Sequence, residues 1–444
     1  MGSKGIVLIL AGVLVAYYVY SPIPYDIEER WKLMITDSFF RSLSNLAEIS
    51  ELLGLKHYMG VMMFLTLAEE VVPASDDSVK VTDALFYDVP VVVYEPKRKN
   101  NGELNRASFT NITFLPVTQE IMQSEKGRCK NMIGLIAGSS ESKMKIIYVN
   151  DTDRLCKHQA LGMGPYDLLS RRTAKELNAV VVSVDYRLAP AYHFPVQFDG
   201  VYNVVKYIVQ DHVLSQYSVD VNRIAVSGDS AGGNLAAAVA QQLQEDPEIQ
   251  VDLKAQVLLY PALQALDMNT PSYQQNEYMP ILPKTLMVRF WSEYFTSDLS
   301  LFHAMMSNSH NTLESAHLLK FVNWSVFLPE IFRLKYNYTM PSRKSSDPSE
   351  TISSITDPRA SPLLADDVKL QVLPKAYILT CEYDVLRDDG VMYATRLRRA
   401  GVQVTLEHFK DGFHGAMMLT TWPTSFEVGH RMVNSYIKWL DNNL

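Results

Sequence analysis

The pentapeptide from Gly228 to Gly232 reads Gly-Asp-Ser-Ala-Gly and holds a serine between two glycines. A β-branched run, Ile224 to Val226, precedes it, and an Ala-rich helical pattern begins at Asn234. A serine on a sharp turn between a strand and a helix is typical of a nucleophile elbow. The pattern predicts that Ser230 attacks a carbonyl carbon and that the Ala231 amide donates to the resulting oxyanion. A glycine-rich turn without chemistry is the alternative.

A carboxylate follows at the place where such chemistry needs one. In α/β enzymes with this elbow, the serine is followed along the chain by an aspartate and then by a histidine. Asp384 comes directly after a predicted apolar strand, so we expect it to orient the histidine. Asp388 and Asp389 come a few residues later, and their spacing is typical of the first turn of the next helix.

Three of the ten histidines follow Asp384. His414 lies in a glycine-flanked loop after the last predicted strand, where its imidazole can reach a serine and act as general base. His408 lies in or at the end of that strand and His430 on the terminal helix, so we expect both to be structural. The predicted catalytic residues are Ser230, Asp384 and His414.

Short apolar strands alternate with helices from Lys145 onward, which predicts an α/β fold with a mostly parallel sheet covered by helices on both faces. Two further strands are predicted earlier, between Val79 and Pro96. Besides the elbow strand, the later predicted strands are Ile146–Val149, Val180–Asp185, Ala255–Pro261, Lys375–Thr380 and Val402–His408. Besides the elbow helix, the predicted helices are Tyr166–Leu177, Phe198–Gln210, Gly390–Ala400 and a terminal helix from Val428.

Composition divides the chain into segments. We predict a membrane anchor over residues 1–24, a helical cap segment over 25–75 and the catalytic domain over 76–444. Residues 99–145 are polar with no sustained period and are interpreted as an atypical insertion. Residues 265–355 are helical, and we interpret them as a lid over an apolar pocket, with a packed insertion as the alternative. Its aromatic residues are Phe290, Trp291, Tyr294, Phe295, Phe321, Trp324, Phe327 and Phe332.

Residues Gly5 to Tyr20 form a continuous apolar run. Its length suits a thin bilayer, which favours a transmembrane helix. A cleaved signal peptide is the alternative, but Tyr17, Tyr18 and Tyr20 stand where a peptidase requires small residues. Tyrosines at this place are typical of a membrane interface.

The net charge of −8 over 444 residues, with no basic cluster, excludes a nucleic-acid partner, and no zinc-type Cys/His spacing occurs. Three cysteines allow either one disulfide or three reduced thiols, and both alternatives stay open: Cys129, Cys156 and Cys381. Four sequons would accept glycans if the body is lumenal: Asn111, Asn150, Asn323 and Asn337.

Further motifs accompany the elbow. Asp185 begins Asp-Tyr-Arg-Leu-Ala-Pro, His193 begins His-Phe-Pro, Asp384 begins Asp-Val-Leu-Arg-Asp and Phe413 begins Phe-His-Gly. Together with Gly-Asp-Ser-Ala-Gly-Gly, these motifs resemble the hormone-sensitive-lipase-like family of α/β-hydrolases. The resemblance implies the α/β-hydrolase fold with a helical cap.

Within that family the chain is most similar to the arylacetamide deacetylases. The N-terminal run, the segment from Phe321 to Ser325 and the segment from Met287 to Phe295 carry this similarity. It implies a serine esterase and amidase that cleaves lipophilic esters and aryl amides through an acyl-enzyme, with no metal or organic cofactor. It also implies a single-pass type II anchor in the endoplasmic reticulum membrane with a lumenal body, and it makes Cys156 to Cys381 the expected disulfide.

One part of the family pattern is missing. After the strand that corresponds to Ile146–Val149, the family carries His-Gly-Gly-Gly, whose amides complete the oxyanion hole. Here the chain reads Asn-Asp-Thr-Asp from Asn150, and His-Gly-Gly occurs nowhere. A replaced segment, from splicing or from a faulty gene model, would explain this. Two hypotheses follow: an esterase in which the amides of Gly162 and Gly164 substitute for the loop, or a catalytically impaired or inactive membrane-anchored variant.

Overall fold

Valine and isoleucine dominate the strands that form the centre of the protein. The computed structural model describes residues 12–13, 15–62, 73–97, 135–136, 143–149, 164–342 and 350–444. Strands in which every residue is buried, such as Ala179–Val184, belong to a sheet that is covered on both faces. The nine strands in this part of the chain are β1 Val79–Phe86, β2 Val89–Pro96, β3 Leu135–Ile136, β4 Lys143–Val149, β5 Ala179–Val184, β6 Val219–Asp229, β7 Ala255–Leu259, β8 Lys375–Tyr383 and β9 Val404–Phe413.

These strands form a single sheet in the order β1-β2-β5-β4-β3-β6-β7-β8-β9, and β4 also pairs directly with β6. β1 and β2 are antiparallel and join the edge of the sheet antiparallel to β5. From β5 to β9 the long strands are parallel, and only the two-residue β3 runs the other way. The predicted mostly parallel sheet is confirmed.

Helices connect the parallel strands and cover both faces. Within the described ranges they are α1 Arg30–Leu52, α2 Pro165–Glu176, α3 Val196–Ile208, α4 Asp211–Gln216, α5 Ala231–Leu243, α6 Pro271–Gln275, α7 Lys284–Phe295, α8 Leu299–Met306, α9 Trp324–Phe327, α10 Glu330–Arg333, α11 Glu350–Ile355, α12 Asp367–Gln371, α13 Arg387–Arg399 and α14 Glu427–Asn443.

Two apolar cores lie on opposite faces of the sheet. The first contains the buried residues of α3, α5 and α13 together with those of the cap helix α7. The second contains the buried residues of α2 and α14, and Leu33 of α1 packs into it. Because the alternate residues of a strand point to opposite faces, neighbouring β5 residues enter different cores: Val180 enters the first and Val181 the second.

Most predicted boundaries agree with the structure to within a few residues, and two of the differences involve the catalytic residues. The elbow helix begins at Ala231 and not at Asn234, because the glycines that suggest a loop are accommodated inside its first turn. β9 starts two residues later than predicted and continues to Phe413, so that His408 is a strand residue and His414 follows the strand directly.

Half of the predicted anchor, residues 1–11 and 14, lies outside the described part of the chain. No helix among the described residues is both long and apolar enough to cross a membrane. The segment 99–145 and the residues Asn111, Cys129, Asn150, Cys156 and Gly162 also fall wholly or largely outside the described ranges.

Candidate active site

Ser230 occupies the turn between β6 and α5, at the carboxyl end of a central strand. Its φ of +53° lies in the left-handed region, which is costly for a residue with a side chain. Backbone hydrogen bonds hold this conformation: the Ser230 amide donates to the Leu259 carbonyl at 2.9 Å, and the Ser230 carbonyl accepts from the Asn234 amide at 3.1 Å. The strained turn therefore holds the hydroxyl above the edge of the sheet.

Gly233 allows α5 to pass this close to the following strand. A Cβ at this position would lie 2.8 Å from the Cβ of Pro261 and 3.3 Å from the carbonyl oxygen of Gly228. Only a residue without a side chain fits there, since real Cβ atoms do not approach other atoms so closely. The second glycine of the doubled pair is therefore the one that positions the elbow.

His414 and Asp384 meet Ser230 at this edge. The Nε2 atom of His414 lies 3.0 Å from the Ser230 Oγ, and the Nδ1 atom lies 2.9 Å from the Asp384 Oδ2. All three side chains are buried. Because a carboxylate only accepts, Nδ1 carries the proton, and Nε2 is left to accept the serine hydroxyl proton. The structure thus brings the three predicted catalytic residues together in hydrogen-bonding order.

Each triad partner is fixed by backbone groups. The second oxygen of Asp384, Oδ1, accepts the Leu386 amide at 2.8 Å, so that the carboxylate cannot rotate freely. Gly415 directly follows His414 and has a φ of +73°, a conformation that turns the chain sharply after β9. The imidazole is also held by Tyr260, whose ring packs edge-on against it with centroids 4.9 Å apart.

The other two histidines lie elsewhere. His408 lies within the sheet: its Nε2 donates to the Glu382 carboxylate at 2.9 Å, and its Nδ1 lies 3.1 Å from the Thr380 hydroxyl. His430, on α14, lies 3.0 Å from the Ser425 hydroxyl. Neither is hydrogen-bonded to Ser230, which agrees with the structural roles expected from the sequence.

A cavity of about 390 Å³ opens above the serine. Its volume is within the range of small-molecule sites. Three of the eight aromatic residues predicted for the lid contribute to the wall, all from α7: Phe290, Trp291 and Tyr294. The other five do not line it, and Phe295 packs into the core instead. Of the predicted lid aromatics, those on α7 are therefore the ones that line the cavity, and the lid itself stays a prediction.

The N-terminal segment closes the cavity from another side. Phe40 of α1, together with Met59 and Met62, belongs to the wall. Ala231 lines it next to Ser230, and its amide remains the predicted oxyanion donor. Gly164 caps the start of α2, where its neighbour is Pro165. The cavity wall is thus mostly apolar, and Ser230 and His414 are among its few polar residues.

A buried ion-pair cluster joins the N-terminal segment to the cap. Arg289 of α7 donates to Glu293 Oε1 and to Glu51 Oε1, both at 2.8 Å, and His57 Nε2 lies 3.3 Å from Glu293. The pKa of Glu51 is lowered by its hydrogen bonds to the Tyr58 amide and to Arg289, which outweigh the raising effect of burial. Sequence reasoning missed this cluster because Glu51 and Arg289 lie 238 residues apart.

The expected disulfide involves Cys381 on β8. Cys381 is fully buried and forms no disulfide with another described residue, and burial raises the pKa of its thiol well above the usual value. Its expected partner Cys156 lies outside the described residues, so the disulfide stays a prediction.

Two of the four predicted sequons lie in the described part of the chain. Asn337 is exposed, whereas Asn323 is half-buried and its side-chain oxygen accepts from the Ser325 amide at 3.1 Å.

Comparison with known proteins gives a consistent result. A family model described as alpha/beta hydrolase fold matches residues 161–322 and 348–418. Arylacetamide deacetylase from Oryctolagus cuniculus is 47% identical over 443 residues, and the alignment covers the whole of both chains. Neutral cholesterol ester hydrolase 1 from Bos taurus is 43% identical over 448 residues, again covering both chains fully.

Solved structures resemble this fold at lower identity. A thermostable esterase from Pseudomonas putida has a TM-score of 0.56 at 21% identity, with 92% of this chain and 96% of that chain covered. A bacterial heroin esterase has a TM-score of 0.53 at 22% identity, with 91% and 93% covered. Identities in this range speak for the shared fold alone.

Proposed function

Because the chain belongs to the alpha/beta hydrolase fold family, in the group of the arylacetamide deacetylases, we propose that it is a serine hydrolase of lipophilic esters and aryl amides. The hydrogen-bonded series from Ser230 through His414 to Asp384 carries this proposal. The relatives named as a deacetylase and as a cholesterol ester hydrolase support the two substrate classes.

The reaction follows from the geometry. Ser230 Oγ attacks the acyl carbonyl carbon while His414 Nε2 accepts the hydroxyl proton. His414 then returns that proton to the departing alcohol or amine, which leaves an acyl-enzyme on Ser230. A water molecule, deprotonated by the same nitrogen, then attacks the acyl carbonyl. The bond between the acyl carbon and Ser230 Oγ breaks, the acid leaves, and His414 returns the proton to Oγ. Asp384 holds the imidazole in the required tautomer throughout, and no step needs a metal or an organic cofactor.

The apolar wall supports a preference for lipophilic substrates. Binding a bulky apolar acyl or aryl group removes it and the wall residues from water, at about 25 cal/mol per Å² of apolar surface. Such a group would contact the apolar side chains of the wall, among them Phe40, Met59, Met62, Leu286, Met287 and Phe290. We expect short charged esters to be the poorest substrates.

Covalent labelling tests the nucleophile. A fluorophosphonate probe is expected to label the membrane-bound wild-type chain and to leave Ser230→Ala unlabelled. Ser307→Ala, which removes an exposed hydroxyl at the end of α8, is the matched control and keeps the label. If wild type resists the probe while it is folded, the esterase proposal is wrong for the natural chain.

The second candidate, an impaired or inactive variant, follows from the sequence after Val149. Asp151 and Asp153 add negative charge where the family has glycine amides, and one lost oxyanion donor costs roughly 10² to 10³ in turnover. A variant with His-Gly-Gly-Gly in place of residues 150–153 is compared with wild type in the same labelling experiment. Labelling of both favours the esterase; labelling of the restored variant alone favours the inactive variant.

We also propose that the apolar run Gly5 to Tyr20 anchors the chain in the endoplasmic reticulum membrane with its body in the lumen. The exposed sequon residue Asn337 would then carry a glycan. When it is expressed in cells, Asn337→Gln is expected to migrate faster than wild type on a denaturing gel. Its shift in mobility after glycosidase treatment should be smaller than that of wild type by one glycan. Asn222→Gln, an exposed asparagine outside any sequon, should migrate unchanged. Identical migration of all three chains would contradict use of Asn337.

A further inference from the structure

Helix α1 has an apolar face that the rest of the described protein leaves uncovered. Six large apolar side chains, each between 53% and 65% exposed, make up this face, which we name the α1 stripe: Trp31, Ile35, Phe39, Leu46, Ile49 and Leu53. At about 100° per residue, they lie within an arc of about 80° on one side of the helix. The stripe is therefore a continuous surface and not a scatter of single residues.

The opposite face of α1 already has partners. Leu33 and Ala47 are fully buried there, and Phe40 lines the cavity above Ser230. No charged residue lies within the arc of the stripe, where the one remaining position is Ser42. A helix that only covered the site would carry polar residues on its outer face. The stripe thus needs an apolar occupant other than the described residues of this chain.

The end of the N-terminal apolar run lies beside this stripe. The carbonyl oxygen of Tyr18 accepts from Arg41 Nη2 at 2.9 Å, and the Tyr18 hydroxyl lies 3.1 Å from the Ser42 Oγ. The Arg41 guanidinium also lies over the Tyr18 ring, 5.1 Å from its centroid. The apolar run and the stripe therefore meet at the middle of α1.

The residues around this junction suit a lipid surface better than a second protein chain. Tyr17, Tyr20 and Tyr25 are 81%, 65% and 86% exposed, and Trp31 belongs to the stripe itself. Tyrosine and tryptophan favour the boundary between lipid headgroups and acyl chains. An apolar face with such aromatic residues, continuous with a long apolar run, is typical of a helix that lies in the plane of a membrane.

We propose that the α1 stripe lies on the lipid bilayer and that α1 orients the cavity toward the membrane. Residues 31 to 53 span about 33 Å, which is enough for the helix to lie along the surface. Phe40 on the other side of the same helix then stands between the bilayer and Ser230. Resting on the proposed function, this arrangement delivers lipophilic esters from the bilayer to the serine without passage through water.

Binding to membranes is a poor readout, because the N-terminal run can hold the chain on a bilayer by itself. The first experiment therefore measures where Trp31 lies. The full chain is reconstituted into phosphatidylcholine vesicles with brominated acyl chains, and the emission of Trp31→Phe is subtracted from that of wild type. We expect the Trp31 emission to be quenched by about half or more, since the apolar face of such a helix is buried about 5–10 Å into the boundary between headgroups and acyl chains. Unquenched Trp31 emission overturns the proposal.

The second experiment separates docking from catalysis. The stripe variant carries Ile35→Gln, Phe39→Gln, Leu46→Gln and Ile49→Gln, and none of these residues lines the cavity. The control variant carries Leu313→Gln, Val368→Gln and Val372→Gln, which are 67%, 74% and 59% exposed on other parts of the surface. We expect the stripe variant to lose about tenfold in turnover of a long-chain ester held in vesicles, with less than about twofold change for a short soluble ester.

The remaining outcomes are also decisive. Equal turnover of the vesicle ester by the stripe and control variants overturns the proposal. The proposal is also wrong if wild type self-associates in detergent and the stripe variant stays monomeric. A second copy of the chain would then be the occupant of the stripe. If wild type hydrolyses neither ester, the proposed function fails, while the quenching of Trp31 still decides whether α1 lies on lipid.

Discussion

Arg289 and Glu293 form a buried ion pair on α7, with the Arg289 Nε atom 2.8 Å from the Glu293 Oε1 atom. The same guanidinium reaches Glu51, so one side chain of the cap holds the N-terminal segment in place. Both segments contribute to the cavity wall, Phe40 from one and Phe290 from the other. The width of the cavity therefore depends on this pair.

Arg289→Met is expected to destabilise the protein and to loosen the cavity. Methionine fills similar space but leaves Glu293 buried without its guanidinium partner, which costs roughly 3 to 5 kcal/mol. We expect a clear drop in Tm and a higher KM for lipophilic esters, measured by thermal unfolding and steady-state kinetics.

Lys80→Met is the matched control for this substitution. Its ion pair with Glu95 is of similar length, 2.9 Å, but the lysine side chain is 59% exposed. Exposed pairs contribute about 0 to 1 kcal/mol, so its Tm should stay close to that of wild type. Equal losses in the two variants would contradict a special role for the buried pair.

Asp384→Asn should remove catalysis without unfolding the protein. The asparagine amide would donate to His414 Nδ1, which moves the imidazole proton to Nε2 and prevents that atom from accepting the Ser230 proton. A change of this kind lowers kcat by about 10⁴ in a comparable triad. The measurement is kcat for a chromogenic ester, with Tm recorded in parallel.

His408→Gln serves as the comparison for the triad. Its imidazole contacts Glu382 and Thr380 rather than Ser230, so we expect kcat to change by less than about tenfold, although stability decreases. A loss in His408→Gln as large as in Asp384→Asn would show that the triad assignment is wrong.

Gly233→Ala should disturb the elbow, whereas Gly200→Ala should be tolerated. Both glycines lie inside helices, but a Cβ at Gly233 meets Pro261 at 2.8 Å and one at Gly200 meets only a Val89 methyl at 3.9 Å. Overpacking costs about 1 to 3 kcal/mol, while replacing an unstrained helical glycine gains roughly 0.5 to 1 kcal/mol. Thermal unfolding and probe labelling of Ser230 would measure the contrast, and similar Tm values for both variants would contradict it.

The triad was predictable from the sequence because of where its residues lie. Ser230, Asp384 and His414 each come just after a parallel strand, and the carboxyl ends of parallel strands meet at one edge of the sheet. Those positions could be predicted because the strands before them are short apolar runs that end at turn residues. The antiparallel pair ending at Pro96 was visible for the same reason.

Other parts of the site had no local signal. Tyr260 contacts His414 only because β7 and β9 lie on either side of β8, a relation that depends on the order of strands. The start of α5 at Ala231 was missed because Gly232 and Gly233 have low helix propensity, and close packing on Pro261 overrides that propensity. Contacts between distant segments decide such features.

The stability of the folded protein is expected to depend on pH through the buried carboxyl group of Asp389. Burial, together with the neighbouring charge of Asp388, raises the pKa of Asp389 to about 8, although the Leu263 amide and Gln264 donate to its oxygens. In the unfolded chain an aspartate has a pKa of about 3.9. The folded state therefore holds a proton that the unfolded state has lost, and stability decreases as pH rises through this interval toward 8.

A buried histidine acts in the opposite sense at lower pH. Burial lowers the pKa of His310 to about 4, so the unfolded chain takes up a proton below about 6.5 that the folded chain does not, and stability then falls as pH decreases. Between about pH 6.5 and 8 the effect of Asp389 is not offset by His310. We expect wild type to lose up to roughly 2 kcal/mol across this window.

Asp389→Asn removes the titrating group, so its Tm should change less than that of wild type between pH 6.5 and 8. Asp298→Asn is the control: its exposed carboxylate accepts from Ser300, which lowers its pKa, and it stays ionised across the window. The slope of Tm against pH in Asp298→Asn should therefore match that of wild type. If Asp389→Asn also keeps the wild-type slope, Asp389 is already ionised in the folded protein, and the buried site must hold its charge by means of Gln264 and the Leu263 amide.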